Sequence, residues 1–256
     1  MKQLAFMAAL VLTGFAAKAQ TGETRKSEDF KALEVKNGIE VIVTQSNEAS
    51  LRVESDAPNN MNNIVTEYKK GILKIYMREA DNQPVAIHGK AKVFVSAKNP
   101  DKFKAVTGSS ITINGRLNVN ELNVRLETGS FFNGEVESGE KCIVKADSGS
   151  MFRGIVKANA FAARITGGAS VKISGYADAA SISCNNGSML AGKFICQNAE
   201  VRTFNASTAF VNTIKSINAN ADASSSITYY GEPANVNLGD NTYAVKRDNL
   251  KLALNN

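Results

Sequence analysis

Leu122-Asn123-Val124-Arg125-Leu126-Glu127-Thr128-Gly129-Ser130-Phe131-Phe132 is echoed twenty residues on by Cys142-Ile143-Val144-Lys145-Ala146-Asp147-Ser148-Gly149-Ser150-Met151-Phe152. The two stretches share an alternation of apolar and polar residues, then a Thr/Ser-Gly-Ser corner, then an aromatic residue. Related corners have their central residues at 108, 129, 149, 168, 187, 206 and 225, at steps of 21, 20, 19, 19, 19 and 19. A fixed period of this length is the signature of a solenoid, in which each coil buries its apolar face only by stacking on its neighbours.

Before each corner, alternate positions are apolar or small. One column reads Leu122, Cys142, Phe161, Ala180 and Ala199; the next Val124, Val144, Ala163, Ile182 and Val201; the next Leu126, Ala146, Ile165, Cys184 and Thr203. Period two is the pattern of a strand with one buried face. After the corner, Phe132, Phe152, Val171, Leu190 and Ala209 start a second strand. Each coil is therefore expected to hold at least two short strands joined by Gly/Ser corners, glycine accepting positive φ without steric penalty. Ser109, Ser130, Ser150, Ala169, Ser188, Ser207 and Ser226 follow the corner residue and form a ladder of small side chains. A serine nucleophile needs a base beside it, and the single histidine, His88, lies outside the repeats.

The outward positions of the first strand read Arg125, Lys145, Arg164, Ser183 and Arg202. Equivalent positions of stacked coils lie about 4.8 Å apart, so these side chains are expected to form a basic ladder. Glu127 and Asp147 stand beside its first two rungs. A solvated, partly paired face is the simplest reading; the functional reading is a track for an acidic polysaccharide. A second candidate column reads Asn133, Arg153, Lys172, Ala191, Phe210 and Tyr229, where Phe210 and Tyr229 could stack on sugar rings or pack beneath a C-terminal cap.

Residues 1–19 have the form of a secretory signal peptide: Lys2, an apolar run from Leu4 to Ala17, and Ala17-Lys18-Ala19 at the cleavage point. Export to the periplasm, cell surface or medium is therefore expected, with no integral membrane segment after cleavage. Loss of Lys2 and Lys18 lowers the formal charge from +6 to +4, without the dense Lys/Arg clusters and aromatic platforms that nucleic-acid binding requires. The three cysteines, Cys142, Cys184 and Cys196, fall in different columns or on different sides of a coil, too far apart for a disulfide, and are expected to be buried free thiols. They form no Cys-x-x-Cys pair and have no histidine nearby, so neither a metal site nor a cofactor is expected.

Between the leader, 20–29, and the regular coils, 103–230, lies a strand-rich region of longer period, 30–102. Phe30–Val35 and Ile39–Gln45 flank Asn37-Gly38, a strong hairpin signal. Leu51–Glu54, Ile64–Tyr68, Gly71–Met77 and Ala91–Val95 are further strands. Residues 20–29 are expected to be flexible, and 231–256, where the period breaks, to form a C-terminal cap. Residues 30–247 are expected to form one continuous architecture with capping strands at both ends.

Several of these pieces, taken in order, resemble the putative auto-transporter adhesin, head-GIN-domain family of bacterial envelope proteins. They are Phe30-x-x-Leu33-x-Val35, Gly38-Ile39-x-Val41-x-Val43-x-Gln45, Leu51-x-Val53, Gly71-x-Leu73-x-Ile75, Val93-x-Val95, the Gly-Ser repeats, and Ser225-Ser226-Ile227-x-Tyr229-x-Gly231-x-Pro233. Glu40 stands where the family label suggests Asn. The resemblance implies an all-β, right-handed, mostly parallel β-helix and an adhesive role, and it supplies no catalytic residues. The leading functional expectation is a non-catalytic surface or periplasmic protein that binds a polysaccharide or surface protein through a solenoid face. The alternatives are a polysaccharide lyase or hydrolase, for which Glu127 and Asp147 are the stacked carboxylates, and a structural envelope subunit.

Overall fold

The computed structural model describes residues 21–55, 61–78, 91–239 and 244–246. The expected signal peptide, His88 and the apolar Leu250–Leu252 lie outside the described residues. What is described is all-β: seventeen strands join in one sheet wound into stacked coils.

The regular coils are carried by β9 (Ser110–Leu126), β10 (Phe131–Ala146), β11 (Met151–Thr166), β12 (Ser170–Asn185), β13 (Ser188–Phe204) and β14 (Thr208–Ala221), each pairing in parallel with the next. Their length hides two bends. In β9 the buried positions are 111 and 113, then 117, then 122, 124 and 126, so the alternation resets twice. In β10 the register against β9 shifts between Asn133 and Glu135 and again between Ser138 and Lys141. Each coil therefore has three sides, one more than the minimum that the sequence requires. β15 (Ser226–Tyr230), β16 (Asn235–Leu238) and β17 (Ala244–Lys246) add further parallel rungs.

The corners close by a repeated backbone device. Thr107, Thr128 and Ser148 adopt φ of 53°, each followed by a glycine with φ between 66° and 70°. The glycine N–H donates to a carbonyl of the next coil's corner: Gly108 to Thr128, Gly129 to Ser148, Gly149 to Gly167, each at 2.9 Å. The serine after the glycine is buried and holds the corner to its neighbours. Ser130 Oγ accepts from the Glu127 N–H at 3.0 Å and donates to the Ala105 carbonyl at 2.9 Å; Ser150 does the same with Asp147 and Leu126. These hydroxyls are consumed by backbone groups.

One corner is shorter. Only Asn186 has positive φ there, and Gly187 takes the place of the corner serine, its register neighbours being Ala169 and Ser207. A Cβ at Gly187 would come within 2.7 Å of Ile165. The small-residue column is thus Ser109, Ser130, Ser150, Ala169, Gly187, Ser207 and Ser225, all buried except the half-buried Gly187, and Ser188 and Ser226 belong one position further on. For the same reason Met189, not Leu190, is the buried partner of Val171, and Leu190, not Ala191, continues the outward column through Lys172.

Asn37-Gly38 is a corner and not a hairpin. β2 (Ala32–Val35) pairs with β6 (Ile72–Met77) and β8 (Lys102–Ala105); β3 (Glu40–Gln45) pairs with β7 (Ala91–Ala97) and β9. The two strands flanking Asn37-Gly38 never pair with each other. Lys70-Gly71 has the same pair of positive φ values and does make a hairpin, between β5 (Ile64–Lys69) and β6. Two consecutive left-handed residues serve both structures, and the available stacking partners decide between them. The stacking order also explains the irregular N-terminal period. β6 and β7 form a rung beneath β2 and β3, although they come later in the chain. Their outer edges are covered by antiparallel β5 and by β4 (Ser50–Ser55), which protects an otherwise open sheet edge.

Residues 21–24, expected to be flexible, form β1 (Thr21–Thr24), antiparallel to β4. Arg25 ties this segment down, donating to the carbonyls of Ile64 at 2.5 Å and Met61 at 2.9 Å.

The interior is a file of stacked columns. Phe132 and Phe152 lie parallel with ring centroids 5.0 Å apart, and Phe103 tilts onto Phe132 at 5.7 Å. Cys142, Cys184 and Cys196 are free and buried, and burial raises their thiols to about 12, 12 and 11. They are small apolar residues, not nucleophiles.

Candidate functional site

Inward columns are used up by packing, so any recognition surface must be built from outward ones. The parallel register places Arg125 beside Lys145, Lys145 beside Arg164, Arg164 beside Ser183 and Ser183 beside Arg202. All five are exposed. The four cations named from the sequence, Arg125, Lys145, Arg164 and Arg202, thus share one column along the solenoid.

The column is longer than that. Lys104 pairs in register with Arg125, and Glu34 with both Lys104 and Lys74. The missed signal is the alternation Lys102-Phe103-Lys104-Ala105, which matches Asn123-Val124-Arg125-Leu126 but precedes the first corner counted. Lys104, Arg125, Lys145 and Arg164 therefore form four uninterrupted basic rungs spanning roughly 14 Å. Arg125 is paired with Glu127, just past the end of its own strand, and Arg202 with Glu200 at 2.6 Å. Lys145 and Arg164 have no ion pair among the described residues.

Glu127 and Asp147 make a poor catalytic pair. Glu127 is engaged by Arg125. Asp147 accepts from Thr166 Oγ1 at 2.6 Å, and this bond, with others from Ser148, holds its carboxyl below the usual carboxylate range. A carboxylate held ionised in this way is not suited to act as a general acid. Among the described residues no three His, Cys, Asp or Glu side chains are grouped to hold a metal.

The second column is only partly assembled. Asn133, Arg153, Lys172, Leu190 and Phe210 are in register. Tyr229 is not: Thr228 pairs with Phe210, and Tyr229 is 7% exposed beside Val211. Its ring packs inside and is not free to stack on a sugar. The five in-register residues, Phe210 among them, line a groove of about 490 Å³ that continues into the following bend.

The sequence model of the family described as putative auto-transporter adhesin, head GIN domain, matches residues 29–233. Several solved structures share the fold. A putative adhesin from Parabacteroides merdae superposes with a TM-score of 0.80 at 17% identity, over 89% of this chain and 95% of that one. A putative lipid binding protein from Parabacteroides distasonis gives 0.78 at 17% identity, over 90% and 97%. A putative adhesin from the same species gives 0.76 at 18% identity, over 88% and 97%. At these identities the likeness establishes the fold alone. No curated protein matches the chain significantly.

Proposed function

This chain belongs to the putative auto-transporter adhesin, head GIN domain family, and on that premise we propose that it is an exported, non-catalytic binding protein of the bacterial envelope. Its ligand in this reading is an acidic polysaccharide lying along the basic column. The observation that carries the reading is the unbroken run Lys104, Arg125, Lys145 and Arg164, held in register by parallel pairing. Like charges directly opposite one another on a sheet are unfavourable; Lys104 has Glu34 as a register neighbour and Arg125 is paired with Glu127, but among the described residues Lys145 and Arg164 have no ion pair. A polyanion with regularly spaced charges would relieve that repulsion along the whole run. The fold suits such a ligand, because a coil repeat of constant rise presents a repeating face to a repeating polymer. Among the described residues no helix is long and apolar enough to cross a membrane.

The test is binding of the purified chain, residues 20–256, to acidic and neutral polysaccharides, with released oligosaccharide measured in the same samples. Saturable, salt-sensitive binding to acidic polymers that disappears on reversing Arg164 and Arg202 to Glu supports the reading. Binding unaffected by those reversals refutes this face. Released product would make the chain an enzyme.

A further inference from the structure

The second side of each coil, between its two bends, changes character along the solenoid. At its N-terminal end the outward charges neutralise one another. Arg116 of β9 pairs with Glu135 and Glu137 of β10 at 2.5 and 3.5 Å, and Lys157 of β11 reaches Glu137 at 2.8 Å. Further along, aliphatic residues take the outward positions. Ile155 on β11 and Ile195 on β13 are 52% and 41% exposed. Ile214, 51% exposed, stands where the register between β13 and β14 shifts at the next bend. Leu190, 36% exposed, lines the same groove as Ile155. Tyr176 is half-buried and in register with Ile195. These residues span β11 to β14, roughly 14 Å along the axis. Aliphatic side chains exposed as a group, not singly, mark an interaction surface.

Each of these four coils also contributes one exposed cation: Arg153 on β11, Lys172 on β12, Lys193 on β13 and Lys215 on β14. None has an ion pair among the described residues. Arg153 and Lys172 stand in direct register, where like charges repel. The carboxylates around them are engaged elsewhere. Glu135 and Glu137 belong to the network above, and Glu232 pairs with Lys246 at 3.6 Å. Asp178 accepts from the Tyr176 hydroxyl at 2.6 Å and the Gln197 amide at 3.0 Å. The face therefore joins exposed aliphatic groups to uncompensated positive charge.

We propose that this face docks on an anionic lipid surface, with Ile155, Leu190, Ile195 and Ile214 at the boundary between headgroups and acyl chains and the four cations on headgroup phosphates. Attachment of a folded protein to such a surface scales with the apolar area it buries plus the attraction of its cations for the anionic lipids, and this face supplies both terms from the same four coils. The groove leaves room for headgroups beside Arg153, Lys172 and Lys193, which line it. Charge complementarity selects this occupant. A second copy of the chain, docked through the same face about a two-fold axis, would set these cations against their own equivalents. A glycan fits less well, because the isoleucine and leucine side chains offer its hydroxyls no partners. The basic column lies on the third side of the coil, outside this contact, so the proposal does not rest on the polysaccharide reading.

The experiment is sedimentation of the purified chain, residues 20–256, with vesicles of phosphatidylcholine alone and of an equimolar mixture with phosphatidylglycerol. Binding to the mixed vesicles should be saturable and at least about tenfold tighter than to the neutral ones. Lys172→Ser and Lys193→Ser should each weaken it about fivefold, and Ile155→Ser and Ile195→Ser about fivefold each. Arg164→Ser, on the third side, should change it by less than about twofold. The sequence contains no tryptophan, so Ile195→Trp places a single reporter on this face and Ser183→Trp one in the basic column, both at exposed positions. Mixed vesicles should shift the emission of Ile195→Trp to the blue and leave that of Ser183→Trp unmoved. Absence of binding, equal binding to both vesicles, or a shift in Ser183→Trp alone would each overturn the proposal. Sensitivity to the lysines without sensitivity to the isoleucines would assign the face to a soluble polyanion instead, and a dimer without vesicles that Ile195→Ser dissociates would assign it to a second copy. Because Arg164→Ser is silent here, failure of this site and failure of the polysaccharide reading are separately visible.

Discussion

Gly175 is the position where the coil geometry is most sharply tested. It has φ of 114°, and a Cβ placed on it would lie 2.1 Å from the carbonyl oxygen of Val156 on the neighbouring coil. The obstacle is backbone in a parallel ladder, so no side chain can swing aside to make room. Gly129 provides the control, with φ of 66° and nothing within 4 Å of its would-be Cβ. Alanine at Gly129 incurs the left-handed backbone penalty alone, about 1–2 kcal/mol. Alanine at Gly175 incurs that penalty and the cost of forcing two coils apart, a further ~1–3 kcal/mol on the scale of overpacked interiors. Gly175→Ala should therefore lose about 2–5 kcal/mol, clearly more than Gly129→Ala. Urea unfolding followed by circular dichroism measures both, the midpoint falling while the slope is unchanged. Equal losses for the two variants would mean that β11 and β12 do not approach as closely at this bend as the structure has them.

Two further outcomes concern titrating groups. The Asp222 carboxylate accepts from the Asn205 N–H at 2.8 Å and from the Ser224 N–H and hydroxyl at 3.1 and 2.9 Å, and these bonds, with that from Asn205 foremost, lower its pKa to about 2. The folded value lies below the unfolded one, so its contribution is complete above about pH 4 and is lost as pH falls through about 2. The urea midpoint should drop over that window in the native sequence and less in Asp222→Asn; identical acid dependence in both would contradict the assignment. The three cysteines, with burial raising their thiols to about 11 or 12, should resist an aromatic disulfide reagent at pH 8 and react together only in denaturant. Rapid labelling of the folded chain would show that the coils open locally.

The period, the inward columns and the basic ladder were legible because a parallel solenoid converts a sequence repeat directly into spatial register. Arg125, Lys145 and Arg164 needed only equal spacing before equal corners to be placed together. Legibility failed where one residue enters or leaves the coil. Asn186-Gly187 resembles Thr128-Gly129 as a string, yet it uses one left-handed residue in place of two, and the positions just after it slip by one until the register shift between Lys172 and Ser174 restores the columns. That slip put Ala191 in place of Leu190 and credited Ser188 to a column it does not occupy. The same kind of slip placed Tyr229 on the surface, although its column mate is Thr228. Asn37-Gly38 failed for a different reason: its local conformation is that of a hairpin turn, and its strands are claimed by partners far along the chain. The groove was legible only in part: Asn133, Arg153, Lys172 and Phe210 of the second column line it, whereas its other residues lie at the bends, where the period of two resets and no alternation marks which residues face outward.

The basic column also allows stability and recognition to be separated. Lys145 stands between Arg125 and Arg164 with no ion pair among the described residues. An ordinary solvated face has no reason to keep three cations in direct register, since opposite charges at the middle rung would be more favourable. Lys145→Glu converts two repulsive rungs into two attractive ones, each worth about 0.2–1 kcal/mol at an exposed site and less at high salt. The variant should be slightly more stable than the native chain at low ionic strength and should lose affinity for an acidic polymer. Stabilisation with undiminished binding would remove this column from the recognition surface. If stability does not rise, the rungs are too well screened for repulsion to constrain them, and the like-charge argument for a polyanionic ligand fails even if the protein binds one elsewhere.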